Sequence, residues 1–260
     1  MSKYFYGFKK GTEDPRDFKF EEYFDKLEDF SLESVLPNVI DIRKLFNFPV
    51  LDQGQLGSCS ANSTSNALRY LLHKEHSQEF QPSRLFIYYY SRLLEGTVDQ
   101  DSGAELRDVM KAVKTHSACS EEILPYDITK FTQAPTPAAI AQANQHLKNI
   151  TYLSVQQNLN SIKTALSKGF PIVFGVQVYS SFESDNSIKT GCIPMPDTTS
   201  ETLLGAHAIL LVACDDNTKT FTFLNSWGSD VGVKGYFTIP YSYVLNPDLA
   251  SDFWILTYFK

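Results

Sequence analysis

Residues 52–63 read DQGQLGSCSANS, and the reading of Cys59 within them decides the fold. Cys59 follows Gly57-Ser58 and stands just ahead of a run in which Leu68, Leu71 and Leu72 fall at i, i+3 and i+4, the spacing of one apolar helix face. That places the cysteine at or near a helix N-terminus. Unpaired N–H groups and the positive end of the helix dipole there favour a thiolate over a thiol, and a thiolate is the nucleophile that amide cleavage requires. Six residues earlier lies Gln53, followed by Gly54. A side-chain amide from this loop, together with a backbone N–H at the helix start, can hold a developing oxyanion. A lone cysteine in an apolar helix is more often buried and inert. The small polar residues flanking Cys59 instead predict exposure in a cleft.

A nucleophilic cysteine needs a base. His73, His76, His116 and His146 lie among Lys, Gln and Ser in helical stretches and read as solvated surface. His73 and His76 are spaced like metal ligands on a helix, but no third ligand is suggested, so no metal is expected. His207 differs. It sits in LLGAHAILLVAC, at the mouth of a hydrophobic strand with Gly205 ahead of it, where it is either a satisfied core residue or a base. In TFLNSWGSD, Asn225 ends a strand and Trp227 follows. An amide oxygen can accept the imidazole N–H and fix its tautomer, with the indole keeping water from that bond; the bland alternative is an Asn opening a turn.

The remaining composition is that of an ordinary globular chain. Of 260 residues, 43% are hydrophobic and 20% charged, enough to bury a large core in one domain or two lobes. The net charge of −7 and the lack of any Lys/Arg-rich block argue against a nucleic-acid partner. No apolar run approaches the ~20 residues of a membrane span, and MSKYFYGFKKGTEDPRDF lacks the apolar core of a signal peptide, which leaves the compartment open. Four scattered cysteines (Cys59, Cys119, Cys192 and Cys214) make neither a disulfide scaffold nor a zinc site.

Helical signals come first along the chain. Pro82 opens PSRLFIYYYSRLL near its first turn. Ser102 and Glu105 are spaced as a capping box ahead of Leu106, Val109, Met110 and Val113. Three prolines between residues 125 and 138 read as a connection between lobes, and AAIAQANQHL as a helix. Strand signals then dominate: ITYLSV, PIVFGVQV, AILLVAC, TFTFLN, YFTI and FWILTYF, interrupted by the helix SIKTALSKG that stops at Gly169. Helices followed by strands predict an α+β protein with segregated lobes. Residues 1–48, charged and aromatic, read as an extension crossing the surface; residues 49–135 as a mainly helical left lobe; residues 136–260 as a mainly β right lobe.

Taken together, DQG-x-x-GSC, GAHA and NSWG resemble the nucleophile, histidine and asparagine segments of the papain family of cysteine peptidases. His207 and Asn225 lie 148 and 166 residues after Cys59, against about 130–150 for that family. An insertion is therefore implied, placed in SSFESDNSIKTGCIPMPDTTSET ahead of His207. The resemblance covers residues 49–260 and implies a papain-like fold: a helical left lobe carrying Cys59, a β-barrel-like right lobe carrying His207 and Asn225, and a cleft for an extended peptide. It implies Cys59 as nucleophile, His207 as its proton partner, Asn225 orienting that histidine and Gln53 at the oxyanion. It also puts Ser102, Gly103, Ala206 and Trp227 on the cleft, with a Gly103 backbone pairing to substrate. No cofactor is implied, the partner is a polypeptide, and the usual state is a monomer. Departures stand at Leu56, where relatives carry a disulfide cysteine, at Ser60, where they carry Trp, and at the SDVGVKG stretch after NSWG, where a second Trp is common.

The expected activity is hydrolysis of peptide bonds, with acyl transfer to an amine, as in a ligase or transglutaminase-like enzyme, and non-catalytic peptide binding as alternatives. Residues 1–48 look like the short leader of prokaryotic and viral members. They are either an inhibitory leader lying in the cleft, making the chain a zymogen, or a strap packing on both lobes.

Overall fold

The computed structural model describes residues 2–12, 14–25, 36–77, 79–145 and 149–258. His146 and the acidic stretch from residue 26 to 35 lie outside these. The extension contributes strand β1 (Phe8–Lys9), helix α1 (Phe20–Asp25) and strand β2 (Val39–Asp41). Phe8, Phe20, Ile40, Ile42, Phe46 and Phe48 are buried, so the extension is built into the core as well as laid over the surface.

Helix α2 (Cys59–His76) follows the DQGQLGSC loop and turns off at Ser77, which takes the left-handed conformation with φ 53°. Its Leu68, Leu71 and Leu72 are buried as the spacing requires. Its first two turns are buried too, although they are polar. Four of those side chains are bonded to backbone carbonyls: Asn62 Nδ2 to Ser58 at 3.0 Å, Ser63 Oγ to Cys59 at 3.0 Å, Ser65 Oγ to Pro82 at 2.6 Å and Asn66 Nδ2 to Pro49 at 3.1 Å, while Ser60 Oγ and Thr64 Oγ1 have no partner among the described residues. Hydrogen bonds of this kind let a polar helix be central.

Helix α3 (Arg84–Leu94) is capped by Ser83, whose Oγ accepts the Phe86 N–H at 3.2 Å; Pro82 stands just ahead of the cap. Strand β3 (Ala104–Glu105) and helix α4 (Leu106–His116) come next. The capping box expected of Ser102 and Glu105 does not form. Pairing of β3 with β1 holds residues 104–105 extended, so the helix starts at Leu106 and Ser102 is out of reach. Its Oγ instead meets Thr97 Oγ1 at 2.8 Å and donates to the Gly103 carbonyl. Leu106, Val109, Met110 and Val113 are fully buried.

Helix α5 (Pro137–Gln145) leads to strand β4 (Ile150–Ser154), helix α6 (Leu159–Ser167), strand β5 (Ile172–Tyr179), helix α7 (Asp185–Thr190), strands β6 (Leu203–Asp215), β7 (Thr220–Leu224) and β8 (Tyr236–Pro240), helix α8 (Tyr241–Val244) and strand β9 (Ala250–Tyr258). The six larger strands order as β4-β9-β5-β6-β7-β8, with β2 also on β6, and every pairing is antiparallel. The sheet is open, with no closed barrel. β6 is buried from His207 to Cys214 with α2 packed against it, which is why it reads as an unbroken apolar run rather than an alternation. The helix bearing Cys59 thus lies directly on the strand bearing His207.

Arg92 of α3 is fully buried. Its guanidinium donates to the carbonyls of Tyr88, Val98, Gln100 and Phe131 and lies 4.0 Å over the Tyr88 ring. It fixes the loop leading to Gly103. Arg92→Leu strands these acceptors and should cost about 3–5 kcal/mol, the scale for breaking a buried charged hydrogen-bond network, read as a lower urea midpoint at unchanged slope.

Candidate active site

Strand pairing delivers the histidine. His207 lies opposite Val176 on β5, and its Nε2 is 2.8 Å from Asn225 Oδ1 at the end of β7. The same oxygen accepts the Ser226 N–H at 2.8 Å. It can only accept, so Nε2 carries the proton and Nδ1 is left as the ring's acceptor. Nδ1 has no hydrogen-bond partner among the described residues. The Trp227 ring stacks on the imidazole at 5.0 Å between centroids and 21°, covering the His207–Asn225 bond as its place in the sequence suggested.

Cys59 is the first residue of α2. Its sulfur lies 3.4 Å from the Ala208 N–H, one residue beyond His207. Burial pushes the thiol up from its usual range, against backbone N–H groups of Ala208, Gly7, Ser60 and Cys59 that pull it down. Burial also lowers His207 to about 4, with the Asn225 hydrogen bond and the Glu183 charge opposing it. Both groups are thereby held neutral.

Gln53 is held by a residue that the sequence reading passed over. Ser226 Oγ donates to Gln53 Oε1 at 2.7 Å, and the Ser226 carbonyl accepts the Gln53 N–H at 2.9 Å. This leaves Nε2 facing the cleft. Tyr126 Oη donates to the Gln53 carbonyl at 2.9 Å and meets Ser58 Oγ at 2.5 Å. Asn225, Ser226 and Gln53 therefore form one connected network from β7 to the loop before α2. Ser226 sits within NSWG, and only the fold shows what its hydroxyl reaches.

Cys59 is not exposed: its accessibility is 0%. The leader covers it. Gln53 Nε2 donates to the Phe5 carbonyl at 2.9 Å, and the Gly7 carbonyl accepts the Ala104 N–H at 2.8 Å. β1 runs parallel to β3 with Phe8 opposite Ala104. The approach is so close that a Cβ on Gly7 would fall onto the Gly57 carbonyl, and one on Gly103 onto the Gly7 carbonyl. Phe8 is 6% exposed and its ring fills the space a side chain at Gly175 would need. Tyr4 stacks on Trp227 at 3.8 Å and Tyr6 meets His207 edge-on at 5.6 Å.

The other expected cleft residues divide. Trp227 touches the leader. Gly103 borders it, but its own N–H donates to Tyr88 Oη at 3.0 Å, and the pairing N–H is that of Ala104. Ser102 bonds within its own loop, and Ala206 is half-buried on β6 opposite Gln177. Among the described residues no group of three or more His, Cys, Asp or Glu could hold a metal ion, and no helix is long and apolar enough to cross a membrane. Cys59, Cys119, Cys192 and Cys214 are all free.

Comparison with known proteins identifies the family. The family model for papain family cysteine proteases matches residues 36–250. An uncharacterized peptidase C1-like protein of Acanthamoeba polyphaga mimivirus is 39% identical over 96% of this chain and 86% of its own length. The crystal structure of xylellain, a cysteine protease from Xylella fastidiosa, superposes with a TM-score of 0.86 at 36% identity, covering 99% of this chain and 97% of that one. Digestive procathepsin L 3 of Tenebrio molitor larval midgut shares the fold, with a TM-score of 0.67 at 19% identity over 88% of this chain and 72% of its own. The chain belongs to the papain family of cysteine proteases, with the hydrolase activity and polypeptide substrate which that membership carries.

Proposed function

We propose that the chain is a cysteine endopeptidase held latent by residues 2–12. The observation that carries this reading is the Phe5 carbonyl on Gln53 Nε2 at 2.9 Å: a peptide carbonyl already sits on the donor assigned to the oxyanion, six residues ahead of Cys59. Once the cleft is free, water and a substrate peptide replace the leader, and Cys59 and His207 form a thiolate–imidazolium pair. The thiolate attacks the scissile carbonyl carbon. Gln53 Nε2 and the Cys59 N–H hold the resulting oxyanion. The imidazolium gives its proton to the leaving amine as the C–N bond breaks, leaving a thioester. His207 then takes a proton from water, the hydroxide adds to the thioester, and the acid product leaves with the thiolate restored. These steps use side chains and water alone. The helices around α2 and the sheet around β6 form the two walls of the cleft.

The leader divides its work. Residues 14–25 act as a strap: Asp17 pairs with buried Arg107 at 2.6 Å, and the Ser154 N–H donates to the Phe18 carbonyl at 2.9 Å. Residues 2–9 act as the gate. They occupy the cleft, and by excluding water they hold Cys59 and His207 uncharged, which removes the nucleophile as well as the space.

Gly7→Val in the full-length chain should open the gate, because a side chain there meets the Gly57 backbone, which cannot yield. Turnover of a fluorogenic peptide is expected to rise by roughly a hundredfold or more over the unaltered chain, a difference of about 2.7 kcal/mol in leader docking. Unchanged turnover by a folded variant would leave residues 2–9 without a gating role.

In that opened chain, Gln53→Ala should lower kcat by about 10²–10³-fold, the scale for one oxyanion donor. Ser226→Ala, which only frees the amide to turn, should lower it about tenfold. An unchanged kcat in Ser226→Ala would deny Ser226 its positioning role.

His207 gives a pH dependence. Its pKa in the closed chain, about 4, lies below the ordinary value of about 6.5. Between these limits the open or unfolded chain binds more protons, so the closed state loses stability as pH falls from about 6.5 to about 4. Imidazole NMR should show a ring that stays neutral to about pH 4 in the unaltered chain and titrates higher in Gly7→Val.

A further inference from the structure

Glu183 lies in the segment between β5 and α7, within the stretch read as an insertion. It is 7% exposed. Every hydrogen bond that its carboxylate accepts comes from the leader: from Ser2 Oγ, from the Lys3 N–H at 2.9 Å and from Tyr6 Oη. No donor from residues 36–258 reaches it among the described residues. Neighbouring Asp185 takes Lys3 Nζ at 2.8 Å in an exposed pair. When residues 2–9 leave, Glu183 loses all three of these donors and becomes a hydrated carboxylate on the cleft side, open to a new donor or cation.

The mechanism fixes which part of a substrate arrives there; this step rests on the peptidase reading above. His207 protonates the leaving amine, so the leaving-group segment extends over the side of the cleft where His207 and Trp227 lie. Glu183 is on that side. The preceding residue, Phe182, meets the Trp227 ring at 6.0 Å, and the Tyr6 hydroxyl that Glu183 binds belongs to the ring lying edge-on to His207. The leader meets this carboxylate with neutral donors only, two hydroxyls and a backbone N–H, while the Lys3 ammonium pairs with Asp185 beside it; the first ten residues hold no carboxylate of their own.

We propose that Glu183 is a specificity-determining residue which selects a cationic side chain in the leaving-group segment of the substrate. The leader's Ser2, Lys3 and Tyr6 stand in for that segment. The same carboxylate repels a free C-terminal carboxylate next to the scissile bond, so cleavage falls inside a chain rather than at its C-terminal end.

The test uses full-length chains carrying Gly7→Val, alone and with Glu183→Gln or Glu183→Lys. Quenched peptides share one acyl side and carry Lys, Gln or Glu at the first two leaving-side positions, each as the C-terminal amide. In Gly7→Val alone, kcat/KM for the Lys peptide should exceed that for the Glu peptide by about tenfold or more, the scale of one charge-assisted hydrogen bond. Glu183→Gln should flatten the order and Glu183→Lys should invert it, read as the Lys-to-Glu ratio within each variant so that any common change in Cys59 reactivity through His207 cancels. An order unchanged by Glu183→Gln overturns the proposal. The same peptides, fluorescein-labelled, are also titrated by anisotropy against Gly7→Val/Cys59→Ser with and without Glu183→Gln. Equal affinity for the Lys and Glu peptides there overturns the proposal whatever the turnover. A Glu183-dependent preference for Lys in binding, beside an opened Cys59 chain that turns nothing over, upholds the subsite and sinks the peptidase reading.

Discussion

Three backbones meet without side chains above Cys59, and the closed structure depends on that contact. Gly7 of the leader lies against the Gly57 carbonyl on one side and Gly103 on the other. Only there does the leader come near enough for its carbonyls to reach Gln53 Nε2 and the Ala104 N–H. The aromatic residues on either side of Gly7 then find their places: Tyr4 on Trp227, Tyr6 on His207, Phe8 in the space left by Gly175. A glycine between aromatic anchors gives a segment that can lie flat on a cleft floor and still be held at both ends.

Geometry and charge state are coupled through that cover. The network from His207 through Asn225 and Ser226 to Gln53 is complete while the leader is in place. What the covered site lacks is water. Burial alone raises the Cys59 thiol and lowers the His207 imidazole, so the machinery is assembled in its uncharged form. In the latency proposed above, displacing a few residues of chain supplies both the room and the solvation that charge separation needs, and one segment is plug and dielectric switch at once.

The fold, and the grouping of Cys59, His207, Asn225 and Gln53 as a candidate site, were legible in the sequence because each rests on local chemistry. The Leu68, Leu71 and Leu72 stripe placed α2, the β-branched and aromatic runs placed the sheet, and small residues around Cys59, Gly205 and Asn225 marked functional turns. The illegible features depend on contacts between distant segments. Cys59 was expected to be exposed because nothing near it in the chain covers it; residues 5–8, some fifty positions earlier, do. Ser102 was read as a cap because its spacing fits, but pairing of β3 with the leader displaced the helix start. Ser226 and Glu183 gain their meaning from Gln53 and Tyr6, each more than 170 residues away.

The most direct test of the covered cleft is the relative alkylation of two free cysteines in the unaltered chain. Native protein is treated with iodoacetamide at neutral pH, and the modified positions are read by peptide mass mapping over time. Cys192 is exposed and unpaired and serves as the internal reference, while Cys59 lies beneath the leader. The account predicts that Cys192 reacts at the rate of an ordinary exposed thiol and Cys59 at least an order of magnitude more slowly, since a neutral, buried thiol is a poor nucleophile. If Cys59 reacts as fast as Cys192 or faster in the folded chain, its thiolate is free and the leader does not close the cleft.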